Sequence, residues 1–154
     1  MAILDKSKKT FNIDRNENVF IGLDLPLDRS DGAEGWFGST KFTIDAARIN
    51  IKNLLSTERG ERLMQPNLGL NLRKYLFEQE MTEEVEIEIQ QEVADTLKLW
   101  LPSVFIHDMQ IRFGEIGNDK HTLGIHMKFS IVQDPNTIAD VDIDVRDNIR
   151  HKTL

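Results

Sequence analysis

At Pro102 the spacing of apolar residues changes. Before it, Val85, Ile89, Val93, Leu97 and Trp100 recur at helical intervals; after it, Phe105, His107, Met109, Ile111 and Phe113 alternate with polar or smaller residues. Proline cannot continue a helix, so the switch marks both a boundary and a change of element type. The alternation returns twice more, in His121, Leu123, Ile125, Met127, Phe129 and Ile131, then in Val141, Ile143 and Val145. Three strands are therefore expected, over 104–113, 121–132 and 138–146, each with one apolar face. Gly114 to Lys120, with Gly117-Asn118, supplies a hairpin loop, and Asp134-Pro135-Asn136 begins the second connection. Three consecutive strands read most simply as an antiparallel meander with helices over its apolar side. Asp142 and Asp144 face outward on the last strand, as expected at a sheet edge.

Two longer helices precede the strands. The first, over 43–58, takes Thr43 as N-cap and Asp45 into its first turn. Ile44, Ala47, Ile51, Leu54 and Leu55 share the face that packs on the core, while Ile49 falls roughly opposite, either exposed alone or touching something outside. Gly60 is placed to end this helix. Residues 61–71 form a loop with Pro66 and Gly69, followed by a short helix over 72–77. The second long helix, 83–100, has Thr82 as N-cap and Glu83 and Glu84 in its first turn. Residues 1–42 differ. They hold a polar, turn-rich run from Asp28 to Gly35 between short apolar pieces, Val19 to Leu27 and Trp36-Phe37. Such pieces cannot form a core alone and are expected to lie as an extended arm across another surface. The expected class is α+β: an arm, 1–42, and a core domain, 43–154, of two main helices and a short one on a three-stranded antiparallel C-terminal sheet.

The 154 residues suffice for one domain with an arm. There is no apolar run long enough to span a membrane, and the opening MAILDKSKKT lacks the apolar stretch of a signal peptide. Cysteine is absent, which suits assembly in a cytosol. A net charge of −7 argues against unspecific nucleic-acid binding. The charge is uneven: six bases against two acids from Arg48 to Lys74, then eight acids and no base from Glu78 to Asp95. The acidic stretch reads either as a solvated helix face or as a docking surface for a basic partner.

Catalysis finds no candidates. His121 and His126 point to opposite faces of one strand and cannot share a metal, and no helical His-x-x-x-His pair exists. His107 reads as a core or subunit-contact histidine. Glu78, Glu80, Glu83, Glu84, Glu86 and Glu88 surround a helix start, with nothing to isolate one carboxyl in apolar surroundings as a glycosidase requires. Ser56, Ser103 and Ser130 lack a nucleophile-elbow context, and there is no phosphate loop. No catalytic, cofactor-binding or metal-binding residue is assigned, and no cofactor is expected.

The remaining stretch has the skeleton Leu54-Leu55-x-Thr57-x-x-Gly60-Glu61-Arg62-x-Met64-x-Pro66-x-x-Gly69-x-x-Leu72-x-x-x-Leu76-Phe77-Glu78. It resembles the baseplate wedge family of contractile-tailed phages, historically labelled lysozyme-like, which includes the baseplate component of type VI secretion systems. The resemblance extends more loosely over residues 42–146, and Phe20 to Leu27 and Gly35-Trp36-Phe37 look like the arm of versions from phages with long contractile tails. Physically the motif reads as a rigid elbow. Gly60 closes a helix, and Gly69 permits a positive φ or a close backbone approach. Pro66 fixes the loop, and Leu63, Leu68, Leu72, Leu76 and Phe77 anchor it in the core. Glu61 and Arg62 either pair with neighbours or face a partner. One departure is evident. Family members often carry Glu-Pro-Arg between the long helix and the first strand, where this chain has Leu101-Pro102-Ser103.

The resemblance implies a non-enzymatic tail-baseplate subunit, present in multiple copies in a hexagonal virion baseplate assembled in the host cytoplasm. It would join the wedge to the first ring of the contractile sheath. Its partners would be other wedge proteins, embraced by the arm with Trp36 and Phe37, and the sheath protein, taken by β-augmentation. The candidate edge is Thr137 to Arg146, with Val141, Ile143 and Val145. Gly60, Glu61, Arg62, Pro66, Gly69, Phe77 and Glu78 are the expected elbow and interface positions; nucleic acid and membrane are not expected partners. The competing readings are a peptidoglycan-degrading hydrolase and a small adaptor that holds a partner with its acidic helix.

Overall fold

The structure is a computed structural model, and it describes residues 21–23, 38–77, 82–116, 119–132 and 134–146. Two short strands, β1 (Gly22–Leu23) and β2 (Ser39–Thr40), pair antiparallel ahead of helix α1 (Thr43–Ser56). A 3-10 helix (Leu72–Phe77) and helix α2 (Glu83–Trp100) follow, then strands β3 (Val104–Ile116), β4 (Asp119–Ile131) and β5 (Asp134–Arg146). These last three form an antiparallel sheet in the order β3-β4-β5, the expected meander. The class is α+β, as the change of period at Pro102 predicts.

The core lies between the inner face of the sheet and the helices. α1 and the 3-10 helix pack on β4 and β5, and α2 packs on β3. Ile51, Leu55, Ile89, Val93 and Leu97 meet Leu123, Ile125, Met127, Phe129 and Val141 in one buried cluster. Each such large side chain contributes about 1.5–3 kcal/mol by leaving water, which is why the apolar periods dictate the layering. Val85 and Trp100 flank this cluster, so the whole α2 stripe is packed.

Several details differ from the sequence reading. The first hairpin is tighter than the expected 114–120 loop: β3 runs to Ile116, β4 starts at Asp119, and those two residues pair. β5 begins at Asp134 rather than 138, so Pro135 lies within an edge strand, where its missing N–H is tolerated. The register of β3 shifts between Ile106 and Asp108. An extra residue in a strand reverses the faces beyond it. Val104 and Ile106 therefore turn inward together with Met109, Ile111 and Phe113. Phe105 is 57% exposed, and His107 is on the surface rather than in the core.

Helix boundaries also shift. Phe42, not Thr43, is the N-cap of α1, with φ −111° and ψ 136° and no side-chain cap. Thr82 holds the cap position of α2 as expected, again without a side-chain hydrogen bond. Ile49 is buried, 9% exposed, although it lies outside the main cluster. It sits one turn beyond Ala46, against which Gly22 rests, so the side of α1 away from the sheet is also covered. Most of the expected arm, including Trp36 and Phe37, lies outside the described residues, as does Glu78.

Candidate functional site

The elbow joins the end of α1 to the 3-10 helix. α1 stops at Thr57, whose hydroxyl donates to the Asn53 carbonyl at 2.6 Å and whose backbone N–H donates to Leu54 at 3.4 Å. Gly60 is thus not the helix terminator. It has φ 93° and donates its N–H to the Pro66 carbonyl at 2.8 Å, closing the loop's outer turn. Gly69 has φ 97°, and a Cβ there would overlap the Thr57 carbonyl oxygen. Both reasons for a glycine, positive φ and close backbone approach, hold at this residue. The next residue, Leu70, donates its N–H to that same Thr57 carbonyl at 3.0 Å. The elbow is therefore clamped at its base by one carbonyl.

Side chains complete the loop from within. Glu61 accepts the Glu58 N–H at 3.0 Å, and Arg62 reaches the Asn53 side chain at 3.5 Å. Arg73 ties the 3-10 helix back to Glu58 at 2.7 Å. Glu61 and Arg62 thus pair with neighbours in this chain while remaining exposed. The proposed anchors divide. Leu72 and Leu76 are buried and Leu68 is partly so, but Leu63 stands at the tip beside Met64, each 94% exposed. Phe77 ends the 3-10 helix, and its side chain is outside the described ones. Leu70 and Tyr75, absent from the expected anchors, are buried in the core cluster.

Tyr75 also joins the basic and acidic stretches. Its hydroxyl lies 2.8 Å from Glu88 and 3.0 Å from Glu92, and the Lys74 ammonium lies 3.6 and 3.2 Å from the same carboxylates. The Tyr75 hydroxyl is pushed up to about 12, first by burial and then by the Glu88 and Glu92 carboxylates, against the opposing effect of Lys74. Lys74 is held above the usual lysine value, first by the Tyr75 oxygen and then by Glu92, and against its partial desolvation. Two of the eight acids therefore serve an internal contact that fixes the 3-10 helix on α2. Among the described residues no three His, Asp or Glu side chains converge to hold a metal.

Between the elbow and the sheet lies a cavity of about 220 Å³. Leu55, Leu70, Leu72 and Val145 supply its apolar lining, and Ser56, Glu58, Arg73 and Asp144 its polar lining. It opens beside β5, an edge strand of the sheet. β5 pairs with β4 in unbroken register from Ala139 to Arg146. Near the start of that run the Asp140 carbonyl accepts the Arg48 guanidinium of α1 at 2.9 Å. Val141 and Ile143 are buried in the core, while Asp140, Asp142 and Asp144 are exposed. Asp142 pairs across the outer face with His126 at 2.7 Å and with Arg112 at 3.6 Å. At the far end of that face His107 shares a hydrogen bond with the buried Ser130 at 2.8 Å, and Phe105 and Ile138 are exposed.

The structure thus brings Gly60, Glu61, Arg62, Pro66 and Gly69 into one loop, with Val145 lining the cavity at its base. Val141 and Ile143 lie apart, in the core. Thr57, Tyr75, Arg48 and Arg73 complete the arrangement; of these only Thr57 belongs to the motif skeleton. Residues 45–136 match the model of the family described as baseplate wedge protein gp25. The fold is similar to the protein named a tail lysozyme from Geobacter sulfurreducens, at 23% identity and TM-score 0.56, covering 67% of this chain and 89% of that one. It is also similar to a chain of the anti-feeding prophage baseplate determined by cryo-electron microscopy with 6-fold symmetrisation. There the identity is 19% and the TM-score 0.58, with 71% of this chain and 83% of that one covered. Among curated proteins, none matches this chain.

Proposed function

This chain belongs to the baseplate wedge protein gp25 family, and we propose that it starts the contractile sheath by accepting an extended strand of a sheath subunit at β5. The contrast between the two sheet edges carries this reading. β3 is interrupted by register shifts at Ile106/Asp108 and Gly114/Ile116, near both of its ends, whereas the shift in the β4–β5 pairing, at Phe129/Ile131, falls at the start of β5; such irregularities protect an edge against pairing. β5 runs regularly from Ala139 to Arg146, so beyond the Arg48 contact it is the better template for backbone hydrogen bonds. The fold shared with a chain of a 6-fold symmetrised baseplate supports several copies of the chain around a hexagonal hub. In this reading residues 1–42 hold neighbouring wedge proteins.

Hydrogen exchange on the full chain, with and without the purified sheath protein of the same particle, tests the proposal. Amides of residues 141–146 gain protection on mixing if β5 accepts a strand. Protection confined to β3, or none, would refute it.

A further inference from the structure

Resting on the augmentation reading, we infer that Arg48 sets the register of the sheath strand on β5: pairing begins at Asp142, runs toward Arg146, and is excluded from Asp140. Along an antiparallel strand, successive residues turn their backbone N–H and C=O to one neighbour and then to the other. Two contacts fix which β5 residues turn outward. Val132, the residue after β4, donates its N–H to the carbonyl of Ser103, the residue before β3, at 2.8 Å. Even-numbered residues of β4 therefore bond to β3, and odd-numbered ones bond to β5. The β5 partners of those odd-numbered residues are Val141, Ile143 and Val145, opposite Met127, Ile125 and Leu123. Residues 140, 142, 144 and 146 then direct their backbone groups away from β4, to the side where a new strand lies. The contact with α1 agrees independently, since the Asp140 carbonyl accepts from Arg48 Nε at 2.9 Å.

A guanidinium at that place occupies the rung that an incoming strand needs at Asp140. Its other end is held on α1, where the Asp45 carboxylate accepts from Nη1 at 3.3 Å. Without a stop, a strand slides along an edge in steps of two while every side chain keeps its face. Each step is about 7 Å. On a hub of several copies, a slip of that size sets one sheath subunit out of line with the next. Arg48 ends the ladder at the same residue in every copy, and the rungs left to a partner are those at 142, 144 and 146.

The test is site-resolved hydrogen exchange on the full chain, free and with the purified sheath protein of the same particle. It compares the unaltered chain with Arg48→Ala and Arg48→Met. Methionine keeps an unbranched stem on α1 but donates no hydrogen bond, and serves should alanine disturb packing. The amides of Val141 and Ile143, bonded to β4, report in each variant that the sheet is intact. In the unaltered chain the amides of Asp142 and Arg146 slow on mixing, and that of Asp140 does not. In both variants the Asp140 amide slows as well, by about fivefold or more, the equivalent of one added hydrogen bond. Loss of a merely structural tie between α1 and β5 speeds exchange and moves no protection to a new residue. Protection of Asp140 in the unaltered chain, or none there in either variant, overturns the role of Arg48 while leaving augmentation intact. Absence of protection at Asp142 and Arg146 in the unaltered chain overturns augmentation, and the register stop with it.

Discussion

Gly60 and Gly69 have nearly the same backbone angle, φ 93° and 97°, in very different surroundings. A Cβ at Gly60 meets nothing within 4 Å, whereas one at Gly69 overlaps a backbone carbonyl that cannot move aside. One loop thus contains a glycine required by conformation alone and another required by conformation and space together. The difference divides the elbow into a free tip and a clamped base. The cavity beside β5 belongs to the base.

Substitution should separate the two ends. Gly69→Ala must reopen the Thr57–Leu70 clamp as well as bear a positive φ, and it is expected to cost about 3 kcal/mol or more by denaturant unfolding. Gly60→Ala bears only the backbone strain, about 1–2 kcal/mol. Equal losses at the two sites would remove the distinction.

Tyr75 sharpens the comparison from the base side, because it holds the 3-10 helix against α2. Its hydroxyl loses its proton less readily when folded, so its contribution is complete below its ordinary value near 10 and fades as pH rises through about 12. Stability measured against pH should fall across that window, and Tyr75→Phe should flatten the fall at a cost of about 1 kcal/mol at neutral pH. The Arg73–Glu58 pair is half exposed on both sides, and Arg73→Ala should cost less than about 1 kcal/mol. At the tip, Leu63→Ser with Met64→Ser should alter the melting transition least, within about 0.5 kcal/mol, since neither side chain packs. A large destabilisation there would mean that the tip belongs to the fold.

The architecture was legible where periodicity is a direct print of burial. The α2 stripe, the three strands and their order follow from spacing, because each face is either in the core or out of it. The bulge at His107 was not legible: it keeps the residue types of a regular strand and displaces only their faces. Leu63 was misread for a related reason. An apolar residue in a tight loop resembles a core anchor until the turns closed by Gly60 and Arg62 direct it away. The elbow's glycines were legible because positive φ has few other solutions. The pocket was not, since it joins the end of α1, the loop, the 3-10 helix and the last strand, and no local pattern records that juxtaposition.

That juxtaposition also governs timing. β5 is the last described strand to leave the ribosome, while Leu55 and Leu70, on the opposite wall, are made far earlier. Neither the edge nor the pocket exists until the C-terminal strand has docked beside α1. An unfinished or misfolded chain therefore presents neither, and if β5 seats a sheath strand, readiness to nucleate becomes a report that folding is complete.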